Sequence, residues 1–168
     1  MHSNLPALEA VLAHPDGAGA DETACLGDIV GYGGDPAQCV EIVRSSCRLM
    51  VAGNHDRGAA GLEPLSAFNR DGATAAGWTS RILGRSALDL LAELPLTAVM
   101  DGFLLCHSFP PDPGSFTYVL HASLARECCS RFPGMVMLTG HTHLPRMWDR
   151  TGAAVEDAGG VLPETCVI

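Results

Sequence analysis

Four times along this chain a short, largely apolar run ends directly in a polar cluster: TACL runs into GDIVG, RLMVA into GNHD, FLLC into His107, and VMLT into GHTH. Runs of four or five residues of this kind are too short for helices and read as buried strands. The stretches between them carry helical spacing, and that alternation predicts an α/β layered fold. In an open α/β sheet the loops at the carboxyl ends of the strands converge on one crevice. Four such loops rich in His, Asp and Asn therefore point at one place.

The intervening segments fill in the order. Ser3 or Asn4 is positioned to cap a helix with the apolar stripe Leu5, Leu8, Val11 and Leu12, which ends before an HPDG turn. Thr23 to Leu26 reads as a strand. Asp35 is expected to cap the next helix, with Pro36 in its first turn and Cys39, Val40, Ile42 and Val43 inside. Arg48 to Ala52 is the next strand. Residues 59–94 read as a largely helical insertion interrupted by glycines at 72, 77 and 84. TAVM and FLLCH flank Asp101-Gly102, the dipeptide of a type I′ hairpin turn. A helix from about His121 to Phe132 leads into the strand Met135 to Leu138. Arg146 to Asp149 and Ala153 to Val155 close a last hairpin around Arg150 to Gly152.

Composition narrows what such a chain does. At 168 residues, 47% hydrophobic and 17% charged, it has enough apolar material for a packed core and is expected to form one domain over residues 1–168. No apolar run approaches the roughly 18 residues that a membrane span needs, and the N-terminus lacks the basic region of a secretory signal. The expected compartment is the cytoplasm. Seven cysteines without zinc-ribbon spacing read as reduced, mostly buried thiols. A net charge of −9 disfavours nucleic acid as a partner but does not exclude an anionic substrate. The sequence does not indicate an oligomeric state.

Taken as chemistry, Asp28, Asn54, His107, His141 and His143 supply carboxylate, amide and imidazole ligands. That mixture suits Mn, Fe, Ni, Co or Zn rather than Ca. One Asp can bridge two cations, and His141-Thr142-His143 lets two imidazoles leave one tight loop. Singly, each of these residues has an ordinary structural reading. A strand-end histidine such as His107 is often a hydrogen-bonded core residue, and Asp28 could cap backbone N–H groups. The ordered set at strand ends is what favours a metal site.

GDIVGYGGDPAQCVEIVR, VAGNHD, LLCHSFPPDP and LTGHTHLP resemble consecutive blocks of the calcineurin-like metallophosphoesterase superfamily, most of all its small prokaryotic phosphodiesterase branch. The resemblance runs from His2 to about Pro145. It implies a four-layer α-β-β-α sandwich and hydrolysis of a small phosphoester, by a diesterase or phosphatase, with two divalent transition-metal ions, Mn²⁺ first among them. It also implies that His2, Asp28 and His143 hold the first metal. Asp28 as bridge, Asn54, His107 and His141 hold the second. His55 would be a non-ligand catalytic histidine, with Asp56 orienting it, and the two metals would activate a hydroxide for in-line attack on phosphorus. Both ends of the pattern look clipped. The family's first metal-binding Asp would precede Met1, and VLPETCVI matches none of the family's later segment. The first strand and the C-terminal strands are accordingly expected to be missing, and the first metal to be held more weakly.

Two other readings compete. A degenerate relative could keep the fold as a non-catalytic metal-binding or interaction module, although it would have little need of all of Asp28, Asn54, His55, His107, His141 and His143. A thiol protein built on Cys128-Cys129 is disfavoured, because adjacent helical cysteines point apart. Tyr32, Phe109, Phe116 and Arg57 are placed by position as contacts to the leaving group. His14 and His121 read as surface or capping residues.

Overall fold

The computed structural model describes residues 1–14, 19–156 and the backbone of 166–167. The HPDG turn lies largely outside these residues, as does VLPETCVI apart from that short backbone stretch. The chain divides into two compact units, Met1–Pro95 and Leu96–Ile168.

In the first unit, helix α1 (Leu5–Ala13) starts where Asn4 accepts a hydrogen bond from the Ala7 amide at 3.1 Å, which settles the cap between the two candidates. Strand β1 (Ala24–Cys25) pairs in parallel with β2 (Leu49–Met50). The crossover between these parallel strands is made by α2 (Pro36–Ser46). Its inner face buries Cys39, Val40 and Val43. Asp35 occupies the cap position, but its side chain makes no capping bond; its carbonyl receives the Cys39 amide instead. Pro36, pre-set for a first helical turn and lacking an N–H, already reduces what a cap would have to satisfy.

Helix α3 (Asn54–Ala59) begins directly after β2. The helical insertion holds α4 (Arg70–Ile82) and α5 (Arg85–Glu93). Gly72 and Gly77 do not interrupt it: both lie within α4, and only Gly84 separates the two helices. Packing overrides propensity at Gly72, where a side chain would press on Tyr32 and His55. Ile29, Val30, Val51, Ala76 and Leu91 are fully buried in this unit.

The second unit is built on a six-stranded mixed sheet in the order β3-β4-β5-β8-β6-β7. Its strands are β3 (Thr97–Met100), β4 (Phe103–Cys106), β5 (Val136–Thr139), β6 (Met147–Asp149), β7 (Ala154–Val155) and β8 (Cys166–Val167). The β3–β4 hairpin turns at Asp101 (φ 50°) and Gly102 (φ 87°), the paired left-handed conformation of a type I′ turn. The β6–β7 hairpin stands at the expected place. Helix α6 (Ala122–Arg131) packs Ala125, Cys128 and Cys129 with Leu104, Phe109, Val119, Met137 and Trp148 into one apolar cluster. No helix among the described residues is long and apolar enough to cross a membrane.

Candidate metal centre and its relatives

Both sheets place chemistry at the carboxyl ends of parallel strands. In the first unit Asp28 follows β1 and Asn54, His55 and Asp56 follow β2 as the first turn of α3. In the second, His107 follows β4, and His141 and His143 follow β5, which is parallel to β4.

Close backbone packing holds the first cluster together. The Met1 ammonium and the His2 amide donate to the Asp28 carbonyl at 3.0 and 2.9 Å, and the Ser3 amide to the Ile29 carbonyl. The Asp28 carboxylate is buried and accepts the His55 amide at 3.1 Å. Asp56, fully buried, joins two loops: one oxygen accepts the Val30 amide at 3.0 Å, the other the Gly53 amide at 2.9 Å. That second bond is the acidic half of a capping box for α3. Gly53 has to be glycine, because a Cβ there would lie 2.1 Å from an Asp28 carboxylate oxygen.

The histidine tautomers follow from their carbonyl partners. His2 Nδ1 lies 3.3 Å from the Val30 carbonyl, which can only accept, so that nitrogen carries the proton. Burial holds the ring neutral, with its pKa lowered to about 4 although Asp28 pulls the other way. The unprotonated Nε2 then faces an Asp28 carboxylate oxygen at 3.5 Å. Two electron-pair donors converge there, an arrangement that a cation relieves. In the second unit His141 Nε2 donates to the Phe116 carbonyl at 2.8 Å, leaving Nδ1 to face His107 Nε2 at 3.1 Å. Histidines that ligate metals characteristically donate their other ring nitrogen to a carbonyl or carboxylate in this way. Tyr118 stacks on the His141 ring at 3.9 Å and 8°, fixing its plane.

Two further observations fit a cation. The Asn54 side-chain oxygen is buried without a hydrogen-bond partner. His2, Asp28, His141 and His143 all take left-handed backbone angles, with φ of 56°, 50°, 64° and 55°. Left-handed non-glycine residues cost roughly 1–2 kcal/mol each and collect where function holds them. Candidate metal-ligand residues thus stand in both units, His2 with Asp28 in one and His107 with His141 in the other.

Other position-based expectations need correction. Phe109 is a core residue of the second unit, 8% exposed, and is not a substrate contact. The Arg57 guanidinium is engaged by Glu63 at 2.8 Å. Phe116 contributes its carbonyl to His141, as above, and its left-handed backbone (φ 50°) aims that group. His14 ends α1 and His121 starts α6, both exposed, as expected. Tyr118 and Gly31 were not singled out in the sequence. A Cβ on Gly31 would sit 2.6 Å from His2 Nδ1 and 3.0 Å from His55 Nδ1.

The family model for calcineurin-like phosphoesterases matches residues 1–145. The chain belongs to that family. An uncharacterised protein of Methanocaldococcus jannaschii is 38% identical over 149 residues, covering 86% of this chain and 60% of its own length. A metallophosphoesterase crystal structure from Sphaerobacter thermophilus matches with a TM-score of 0.77 and 34% identity, over 91% of this chain and 63% of that one. A hypothetical protein from Pyrococcus horikoshii OT3 shares the fold, with a TM-score of 0.74 at 15% identity, over 99% of this chain and 72% of that one. The chain therefore spans less than two thirds of the length of the first two relatives, and its α/β fold agrees with both solved structures.

Proposed function

We propose that this chain hydrolyses small phosphoric esters, as a phosphodiesterase or phosphatase, with two divalent transition-metal ions held by His2, Asp28, Asn54, His107, His141 and His143. The observation that carries the reading is the approach of His2 Nε2 to the Asp28 carboxylate at 3.5 Å, each side chain oriented by a hydrogen bond to the backbone. Mn²⁺ is the first choice by the family resemblance alone, and the imidazole, carboxylate and amide donors also suit Fe, Ni, Co or Zn. The cytoplasm is the proposed compartment. When bound, such ions supply Lewis acidity and a water acidic enough to act as hydroxide near neutral pH.

The chain's own residues do the rest. Asp28 brings the anionic oxygen, and its other oxygen, occupied by the His55 amide, keeps the carboxylate from rotating. His55 is buried, with its ring 4.8 Å from His2, 4.7 Å from Tyr32 and 5.0 Å from Phe68, so its position is set by packing. Its Nδ1 is buried, so Nε2 is the atom that gives a proton to the departing ester oxygen. General-acid help of this kind contributes about 10²–10⁴-fold. Asp56 positions His55 by fixing the first turn of α3.

The test is hydrolysis of bis-p-nitrophenyl phosphate and p-nitrophenyl phosphate with added Mn²⁺. Native protein should turn over at least one, and His55→Ala should lose about a hundredfold or more in kcat. No turnover with Mn²⁺, Fe²⁺, Co²⁺, Ni²⁺ or Zn²⁺ would sink the proposal.

A further inference from the structure

Beside the histidine cluster of the first unit lies an open cleft of about 490 Å³ that no step above uses. One wall is the exposed face of α4. Asp71, Thr74, Ala75, Trp78 and Arg81 recur there at the three- and four-residue spacing that stacks side chains on one side of a helix. The opposite wall is Tyr32 with the glycine pair 33–34. Ala76 and Thr79, on the inner side of the helix, are fully buried, so the orientation of the cleft face is fixed by the core.

Tyr32 joins this cleft to the catalytic cluster. One side of its ring environment is His2 and His55, at centroid distances of 5.1 and 4.7 Å; the residue is nevertheless 50% exposed and lines the cleft. Gly72 lets the helix come this close, since a Cβ there would lie 3.3 Å from both the Tyr32 hydroxyl and His55 Cε1. At Gly34 a Cβ would meet nothing within 4 Å, which leaves that side of the cleft open to a ligand.

The chemistry of the walls is specific. Two partly exposed aromatics, Tyr32 and Trp78, line a mainly apolar space. Asp71, a hydrogen-bond acceptor, and Arg81, a cation, stand ten residues apart on α4. That is about 15 Å along a helix, too far for them to neutralise each other. Among the described residues Arg81 has no carboxylate partner, whereas Arg57 is held by Glu63. A planar apolar body with hydrogen-bonding edges, attached to an anion, matches all four groups at once.

We infer that this cleft binds the nucleoside of a nucleotide ester, the base lying against Tyr32 and Trp78 with its phosphoryl group toward His2 and His55. This rests on the phosphoesterase reading and names its substrate class. Asp71 accepts from the base edge, and Arg81 engages a second phosphate or the ribose. Aromatic stacking of one base changes affinity by roughly fivefold to a hundredfold or more.

Thymidine 5′-(p-nitrophenyl phosphate) and methyl p-nitrophenyl phosphate release the same phenolate and differ in the nucleoside. The ratio of their kcat/KM values isolates the cleft. The native protein should favour the nucleotide ester by tenfold or more; Trp78→Ala should reduce that ratio at least tenfold, Trp78→Phe should restore most of it, and Arg81→Ala should lower it less. Equal kcat/KM for the two esters, or a preference that survives both Trp78→Ala and Arg81→Ala, overturns the inference while leaving the phosphoesterase intact. If neither ester is hydrolysed, the phosphoesterase reading has failed, and the cleft is tested by fluorescence alone. Thymidine 5′-monophosphate should quench native tryptophan emission saturably, inorganic phosphate should not, and the quenching should vanish in Trp78→Phe. Absence of saturable quenching overturns the inference.

Discussion

A buried amide oxygen without a donor costs on the order of 1–3 kcal/mol, and Asn54 carries that cost in the metal-free chain. Removing it should therefore act in opposite directions on stability and on function. Asn54→Ala is expected to leave the melting temperature unchanged or raise it in EDTA, yet to weaken Mn²⁺ binding tenfold or more by calorimetry. If Asn54→Ala melts well below native protein in EDTA, the oxygen has a structural partner and the metal-ligand role is wrong. Asp28→Asn separates charge from shape: the His55 amide can still donate to the retained oxygen. The variant should fold but lose the melting-temperature rise that Mn²⁺ gives native protein. At this scale the placement of Asp28, Asn54, His107, His141 and His143 after strands was legible, because the short apolar runs that precede them are plain in the sequence. Phe109 and Arg57 were not legible. Whether an aromatic faces a core or a cleft, and whether a cation finds a carboxylate six residues on, depends on packing that position along the chain does not encode.

At the scale of elements, the loop carrying Asp28 and the turn that starts α3 touch at van der Waals limits. Gly53→Ala should destabilise the chain by about 1–3 kcal/mol in urea, since its Cβ would overlap a buried carboxylate that has no room to withdraw. Gly34→Ala, with open space around it, should change stability by less than about 0.5 kcal/mol. A similar loss in both variants would mean that the tight approach at Gly53 is not what constrains it. Strand and helix order, the type I′ hairpin and the helical nature of 59–94 could all be read from periodicity and turn chemistry. The role of Gly72 could not. Glycine is a poor helix former by propensity, and only the contacts of α4 with Tyr32 and His55 explain why it stands there; nothing in the structure explains Gly77.

Across the whole molecule, burial keeps thiols protonated in both units: it pushes Cys25 and Cys128 up from 9.0 to about 12. Unfolded, those thiols ionise near 9; folded, they do so near 12, so the unfolded chain binds fewer protons between these values. Their contribution to stability is full below pH 9 and is lost as pH rises toward 12. Urea midpoints measured under reducing conditions should hold steady from pH 7 to 8.5 and fall from 9 upward, and Cys25→Ser with Cys128→Ala should flatten that decline. A midpoint that rises between pH 9 and 10.5 would contradict the assignment. In native protein at pH 8 both thiols should resist alkylation until the chain unfolds.

The left-handed backbone at His2, Asp28, His141 and His143 has a consequence for how this chain can change. At each of the four, glycine is the residue the local conformation favours, and the side chain present is tolerated at a cost to folding. A lineage freed from its chemistry would gain by letting these positions drift toward glycine, and mutation would supply such changes readily. Each of the four positions thus sets the donor it carries against the ease of folding that glycine would bring.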